Sequence, residues 1–155
     1  HNAGATVIAT ASRKNHEYLN KLGANEVIDY TNVEFRDVIS SLYPDGINLV
    51  FDCVGGSTLK RSCDILKPGG RLVNIVQNDD QNQVEEQLKK SGSSYHYVFV
   101  SPNAAQLAEL SKMAEEGKLH PDIAATFSLD NVEAAHKLSE SGHTRGKIVL
   151  KIQTH

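Results

Sequence analysis

The sequence predicts an α/β fold built on a parallel sheet, and three observations carry this prediction. Short apolar runs rich in Val and Ile alternate with amphipathic runs of helical period, as in parallel strands joined by crossover helices. Turn-forming residues such as Gly23, Pro44 and Gly117 separate the runs. The first apolar run, residues 6–11, is apolar or β-branched throughout, which is typical of a strand covered on both faces.

The elements follow in a regular order. The predicted strands are residues 6–11, 27–30, 48–54, 71–76, 95–100, 123–129 and 147–152. The predicted helices are residues 15–22, 33–42, a helix that follows Gly55 and Gly56, and residues 79–90, 103–116 and 130–139. Ser57 or Thr58 can cap the third helix, and the polar residues 79–90 predict a surface helix.

Length and charge exclude several classes of protein. A chain of 155 residues is one domain's worth and can bury a real core. Its 16 Lys and Arg residues are scattered among 19 Asp and Glu residues, so no basic stripe is present to follow nucleic acid or an anionic membrane. No apolar stretch is long enough to cross a bilayer. We therefore predict a cytoplasmic protein that binds neither nucleic acid nor membrane.

Cysteine and histidine spacing predicts no metal site. Cys53 and Cys63 match no zinc-ligand pattern and cannot form a disulfide framework, so both are predicted to be buried, reduced thiols. The seven histidines are dispersed along the chain, without the paired helical spacing that presents a metal.

The junction after the first predicted strand carries a functional signal. Ser12, Arg13 and Lys14 follow the strand, and no acidic residue stands there. In dinucleotide-binding folds a carboxylate at such a junction binds the 2'-hydroxyl of NAD, whereas basic residues accommodate the 2'-phosphate of NADP. The junction therefore predicts NADP(H). A solvated helix start, with Ser12 or Asn15 as N-cap, is the alternative interpretation.

Several segments, in order along nearly the whole chain, resemble the cofactor-binding half of the medium-chain dehydrogenase/reductase family. The similarity is nearest to its zinc-independent quinone oxidoreductase branch, often labelled zinc-binding dehydrogenase. The segments are GATVIATAS (4–12), LGA (22–24), VIDY (27–30), FDCVGG (51–56), LKPGGRLV (66–73), FSL (127–129), AAH (134–136), GH (142–143) and RGKIVL (145–150). Each segment is weakly specific alone, whereas their common order is strongly specific.

This resemblance implies a Rossmann-like, doubly wound parallel sheet and a set of cofactor-binding residues. Ser12, Arg13 and Lys14 would surround the 2'-phosphate, and Tyr30 would close the same pocket. Val54 and Gly55 would let the backbone approach the cofactor, since a residue without Cβ permits close contact. The residues implied for the nicotinamide side are Ile75, Phe99 and Val100. Alternatives are an amphipathic ring at a strand end for Tyr30, a plain turn at Gly55, and core positions for the last three.

Two features depart from the family pattern. Val76 stands where the family commonly has glycine. The first strand and its glycine-rich turn, G-x-G-x-x-G, would precede residue 1, so the predicted sheet is incomplete. Residues 1–118 are thus interpreted as a partial dinucleotide-binding domain. Residues 119–155 are interpreted as a strand–helix–strand segment that would return to an absent catalytic domain. Loss of a central strand predicts rearranged or intermolecular pairing, as in a homodimer or strand-swapped oligomer.

For the full-length protein, the resemblance implies NADPH-dependent hydride transfer to a quinone, enone or similar carbonyl compound, with the fragment alone inactive. We predict no catalytic residue in this chain. One alternative is an S-adenosylmethionine-dependent methyltransferase, whose sheet can carry a turn like LKPGG. The basic strand junction and the RGK segment oppose it. The other alternative is a non-catalytic NADP(H)-binding module.

Overall fold

The computed structural model describes residues 2–77, 81–142 and 144–152 and contains two compact units. The first unit ends at Ser101, and the second begins at Pro102. The start of the predicted helix 79–90 and His143 of the GH segment lie outside the described residues. Every strand pair in the described ranges is parallel, which confirms the predicted α/β class.

The elements occur in the predicted order, with bounds that differ by a few residues. Those of the first unit are β1 (Ile8–Thr10), α1 (His16–Lys21), β2 (Glu26–Ile28), α2 (Phe35–Leu42), β3 (Ile47–Asp52), α3 (Gly56–Ser62), β4 (Leu66–Asn74), α4 (Gln81–Lys90) and β5 (Ser94–Tyr97). Those of the second unit are α5 (Ala104–Glu115), β6 (Ile123–Ser128), α6 (Val132–Glu140) and β7 (Lys147–Lys151). Short 3-10 turns occupy Arg13–Asn15, Cys63–Ile65 and Leu129–Asn131.

The strands of the first unit form two separate sheets. β1 pairs with β2, and β3, β4 and β5 pair in that order. A doubly wound sheet of order 3-2-1-4-5-6 leaves these two groups when its first strand is missing. This pairing agrees with the predicted incomplete Rossmann-like sheet.

One core lies between the three-stranded sheet and the helices α3 and α4. Leu59, Leu72, Val84 and Leu88 are almost completely buried there. The polar helix α4 was predicted to lie on the surface, and it does so with most of its side chains. Val84 and Leu88, four residues apart and therefore on one face, pack into the core.

A second core connects the two sheets. Phe35 and Ile39 of α2 pack with Ile28 and Ile65, and Ile47 of β3 contacts this cluster. Because α2 contributes to both the β1–β2 side and the β3 side, it holds the two sheets together without strand pairing between them.

The turn predicted at residues 44–46 depends on Gly46. Its φ is +82°, a conformation that side chains disfavour. A Cβ at this position would lie 2.6 Å from the backbone nitrogen of Lys67, so no side chain fits. The close approach fixes the start of β3 against β4. β4 itself begins at Leu66, earlier than predicted, and its pairing with β3 contains a register shift between Ile47 and Leu49.

An apolar groove lies between β1 and β3. Its volume is about 140 Å³, and its lining includes Ile8, Leu49 and Phe51. Phe51 is 61% exposed, which is unusual for a large apolar side chain in a strand. Among the described residues, β1 and β3 each have one edge without a strand partner.

The second unit is a small strand–helix–strand arrangement preceded by a helix. β6 pairs with β7, and Ala135 of α6 is buried. α5 begins as predicted, with the side chain of Asn103 accepting a hydrogen bond from the amide of Gln106 at 3.0 Å. The functional division at residues 118 and 119 stays a prediction. No helix in the described ranges combines the length and apolarity needed to cross a membrane.

Candidate functional site

The turn between β3 and α3 is shaped by a buried carboxylate. Oδ1 of Asp52 accepts hydrogen bonds from the amides of Val54 and Gly55, each at 2.7 Å. Asp52 is 4% exposed, and its Oδ2 is buried without a partner in the described part of the chain. Gly55, at the N-cap position of α3, has a φ of 75° that favours glycine. Asp52, rather than Ser57 or Thr58, therefore shapes the start of α3.

The carboxyl ends of β1 and β3 open into a pocket of about 510 Å³, here called the Tyr30 pocket. Tyr30 and Val54, two of the predicted cofactor residues, both line it and both expose apolar surface. Its lining residues are Thr10, Tyr30, Thr31, Asn32, Val33, Glu34, Phe35, Val54, Thr58 and Arg61. The volume falls within the range of small-molecule and cofactor sites.

The loop that carries Tyr30 is held by Asp29. This carboxylate accepts hydrogen bonds from the amide and the hydroxyl of Thr31, at 3.1 and 2.6 Å, and from Nδ2 of Asn32 at 2.7 Å. The Thr31 hydroxyl is the main cause that lowers the pKa of Asp29. Tyr30 was predicted to end a strand, but β2 ends at Ile28, and the polar loop that follows presents the ring to the pocket.

The predicted phosphate-binding residues lie just beyond β1. Ser12 is the N-cap of the turn Arg13–Asn15, yet its side chain makes no capping hydrogen bond. Arg13 and Lys14 are exposed, and neither forms an ion pair with another described residue. Thr10 lines the Tyr30 pocket, whereas these three residues do not.

The residues predicted for the nicotinamide side lie after β4 and β5. The amide of Ile75 donates to the backbone oxygen of Asp52 at 3.2 Å, which places it beside the β3 end. Phe99 and Val100 were expected within the fifth strand, but β5 ends at Tyr97, and they are 78% and 83% exposed. None of the three lines the Tyr30 pocket.

Glu34 and Arg61 were not predicted as site residues, yet they line the Tyr30 pocket together. NH1 of Arg61 donates to Oε2 of Glu34 at 2.7 Å. The guanidinium lies 5.2 Å from the ring centroid of Phe35, within cation–π range. Partial desolvation raises the pKa of Glu34, but hydrogen bonds and charge from Arg61 and Arg36 outweigh it and lower the pKa overall.

The two cysteines differ in exposure, so the prediction that both are buried is wrong for Cys53. Cys53 is exposed, whereas Cys63 is buried in the first core. Neighbouring residues of an extended chain point to opposite sides, and the side chain of Asp52 takes the buried side. Burial raises the pKa of Cys63 to about 11.

We therefore expect Cys53 to react with a thiol reagent at pH 8 in the folded protein well before Cys63, because its side chain is exposed, although partial desolvation and the nearby Asp52 also raise the pKa of Cys53. Cys63 should react only after unfolding, because it is buried and its thiolate is scarce below its raised pKa.

A thiol whose pKa is raised by folding also destabilises the fold as pH rises, because the unfolded chain ionises first. The unfolding free energy of the native protein should therefore fall relative to that of a Cys63→Ala variant between pH 9 and 11. A constant difference across that window would contradict the burial argument.

Comparison with known proteins identifies the family. Residues 22–150 match the family model described as zinc-binding dehydrogenase. The chain belongs to this family. Among the described residues no group of three or more His, Cys, Asp or Glu side chains could hold a metal ion.

Relatives in the zinc-binding dehydrogenase family are similar across nearly the whole chain. A mitochondrial NAD(P)H oxidoreductase of Danio rerio is 31% identical over 96% of this chain and 43% of its own length. A 2-haloacrylate reductase of a Burkholderia species is 33% identical over 95% of this chain and 48% of its own. The chain thus spans about half the length of the curated relatives it matches.

A solved structure supports the same fold. The quinone oxidoreductase of Coxiella burnetii superposes with a TM-score of 0.85 and 35% identity, over 98% of this chain and 46% of that one. These comparisons confirm the medium-chain dehydrogenase/reductase resemblance and the Rossmann-like fold.

Proposed function

We propose that this chain is the NADP(H)-binding part of an oxidoreductase that transfers hydride to a quinone, enone or similar carbonyl compound. The observation that carries the proposal is the Tyr30 pocket, with Arg13 and Lys14 unpaired among the described residues just beyond the β1 end that borders it. The names of two relatives, the NAD(P)H oxidoreductase of Danio rerio and the 2-haloacrylate reductase of a Burkholderia species, agree with this reaction class.

The shape of the pocket supports a dinucleotide. The exposed apolar surfaces of Tyr30 and Val54 suit the faces of a planar base. A Cβ added to Gly56 would meet no atom within 4 Å, so open space lies above the start of α3 for the rest of the ligand. Ser12, Arg13 and Lys14 would donate to the 2'-phosphate, Arg13 through a planar two-pronged contact.

The bound dinucleotide would supply the hydride, since the cofactor carries the redox chemistry in such enzymes. The residues of this chain bind and orient it: Asp52 fixes the turn at Val54, and Asp29 fixes the loop at Tyr30. Ile75, Phe99 and Val100 would border the nicotinamide side at the ends of β4 and β5. We assign no proton transfer to a residue of this chain.

The test is oxidation of NADPH in the presence of a quinone by the longest polypeptide that the gene encodes. Loss of NADPH absorbance that depends on the quinone supports the enzyme. Tight NADPH binding without turnover by that polypeptide supports a non-catalytic module instead. Binding of S-adenosylmethionine in place of NADPH would favour a methyltransferase. We expect the 155-residue chain alone to bind NADPH without turnover.

We also propose that the β1–β3 groove recruits a strand from a second copy when the 155-residue chain is isolated. Unpaired parallel edges next to exposed apolar side chains such as Phe51 favour intermolecular pairing. Light scattering after size exclusion should show a dimer or larger species. A Phe51→Lys variant, which places a charge at the groove, should shift the population to monomer. A Leu107→Lys variant, on exposed α5, is the control. A monomeric native chain would contradict this proposal.

The cytoplasmic location stays a prediction, and the Danio rerio relative is mitochondrial by its name.

A further inference from the structure

The Glu34–Arg61 pair is held in place at the wall of the Tyr30 pocket. Nε of Arg61 donates to the backbone oxygen of Ser57 at 3.2 Å, and NH1 donates to Glu34 at 2.7 Å. The ring of Phe35, which is buried, supports the guanidinium from one side. Two elements, α3 and the start of α2, therefore fix the pair in one geometry, as a recognition site requires.

A second arginine anchors the carboxylate side of the pair. Nε of Arg36 lies 3.6 Å from Oε1 of Glu34, and NH1 of Arg36 donates to Asp64 at 2.9 Å. Arg61 and Arg36 carry two positive charges, which together balance the charges of Asp64 and Glu34. The carboxylate can therefore stand in a pocket for a phosphorylated ligand without repelling the ligand's phosphates.

Both members of the pair keep hydrogen-bonding capacity. A guanidinium has five N–H donors, and NH2 of Arg61 makes only a long contact of 3.4 Å, with the hydroxyl of Thr58. Each carboxylate oxygen of Glu34 can accept more than the one bond it receives. In the pocket wall, Arg61 can therefore donate further hydrogen bonds, and the neighbouring Glu34 can accept further ones.

We propose that Glu34 and Arg61 recognise the base of the nucleotide and select adenine, an inference that rests on the proposed nucleotide-binding function. The edge of adenine is complementary to this pair, because its amino group donates a hydrogen bond and the adjacent ring nitrogen, N1, accepts one. Glu34 accepts from the amino group, and Arg61 donates to the ring nitrogen. Hypoxanthine carries an oxo group in place of the amino group and a protonated ring nitrogen beside it, so both roles are reversed.

The other polar residues of the pocket are poorly suited to this selection. Thr10, Thr31, Thr58 and Asn32 carry hydroxyl or amide groups, each of which can both donate and accept. An ionised carboxylate only accepts and a guanidinium only donates. Hypoxanthine would therefore place an accepting oxygen against Glu34 and a donating N–H against Arg61. The discrimination therefore falls on Glu34 and Arg61.

Calorimetric binding of two probes to the longest polypeptide that the gene encodes tests the inference. The probes are adenosine 2',5'-bisphosphate and inosine 2',5'-bisphosphate, which differ only in the base. We expect the native chain to bind the adenosine probe about tenfold or more tightly, as for one discriminating charged hydrogen bond. Glu34→Gln should reduce this ratio to about threefold or less, because an amide can turn to suit either base. Glu17→Gln, which alters an exposed ion pair with Lys21, should leave the ratio unchanged.

Arg61→Lys provides a second, independent variant. It keeps the positive charge but loses the planar fork, so we expect a lower adenine preference with an unchanged preference for the 2'-phosphate over adenosine 5'-monophosphate. Equal binding of both probes by the native chain would overturn the inference, as would a ratio unaffected by Glu34→Gln. A loss of 2'-phosphate preference in Arg61→Lys would make Arg61 a phosphate contact and also overturn it. In each of these outcomes the nucleotide still binds, whereas failure to bind either probe would overturn the proposed function itself.

Discussion

Replacement of Asp52 with Ala is expected to lower the free energy of unfolding by about 2–5 kcal/mol, the cost of leaving buried donors unpaired. Its Oδ1 accepts from two amides at 2.7 Å, and the side chain is 4% exposed, so water cannot readily replace it. The turn at Val54 and Gly55 would also lose its shape, and NADPH affinity should fall with it. Urea unfolding followed by circular dichroism measures the first effect, because the chain has no tryptophan for fluorescence.

Two other variants give this experiment its control. Asp52→Asn keeps an acceptor oxygen for the turn and should fall between the native protein and Asp52→Ala. Asp45→Ala removes an exposed carboxylate from another turn and should change the unfolding free energy by about 0.5 kcal/mol or less. If Asp52→Ala is no more destabilising than Asp45→Ala, the carboxylate does not hold the turn.

The order of strands and helices could be predicted from the sequence because apolar period and turn residues are local signals. Their ends were less predictable. The third strand was expected to reach Val54, but it ends at Asp52, where the carboxylate captures the next amides and bends the chain. The fifth strand was expected to reach Val100, yet pairing with β4 stops at Tyr97. In both cases the strand ends where its pairing with β4 ends, although the apolar run in the sequence continues.

The burial of side chains was predictable in segments that are apolar throughout. It was less predictable in segments where only one or two residues are buried. Val84 and Leu88 lie in a helix that is otherwise polar, and only their spacing of four residues indicates a buried face. Cys53 follows an apolar strand and looked buried, but the side that Asp52 occupies leaves it exposed. The pairing register of a strand decides which of two neighbouring side chains points into the core, and this register cannot be read from the sequence.

The candidate site was partly predictable for a similar reason. Tyr30 and Val54 follow strands, and the ends of parallel strands meet at one edge, so their common pocket follows from topology. Glu34 and Arg61 are 27 residues apart and belong to different helical segments. Nothing local to either residue indicates the other. A carboxylate at a helix start and a cation in the last turn of another helix each look like ordinary surface residues until the fold brings them together.

Simultaneous replacement of Arg13 and Lys14 with Ala is expected to weaken NADPH binding by about tenfold to a hundredfold, the range for lost charged contacts at a partly solvated site. NADH binding should change by about threefold or less, since NADH lacks the 2'-phosphate that the cations would neutralise. Calorimetry or fluorescence titration of both cofactors measures the two losses. Higher salt should reduce the advantage of the native protein, because the side chains are exposed and screened.

The ratio of the two losses is the decisive quantity, since a general effect on the fold would weaken both cofactors alike. Lys21→Ala is the matched control. Lys21 is an exposed cation on α1, the helix that follows the same junction, but it is already paired with Glu17 at 2.7 Å. It should leave both affinities within about twofold, as expected for an exposed ion pair. Comparable losses of NADPH and NADH in the double variant would mean that Arg13 and Lys14 only begin a solvated helix. The preference for NADP(H) would then have no basis in this junction, even if a dinucleotide occupies the Tyr30 pocket.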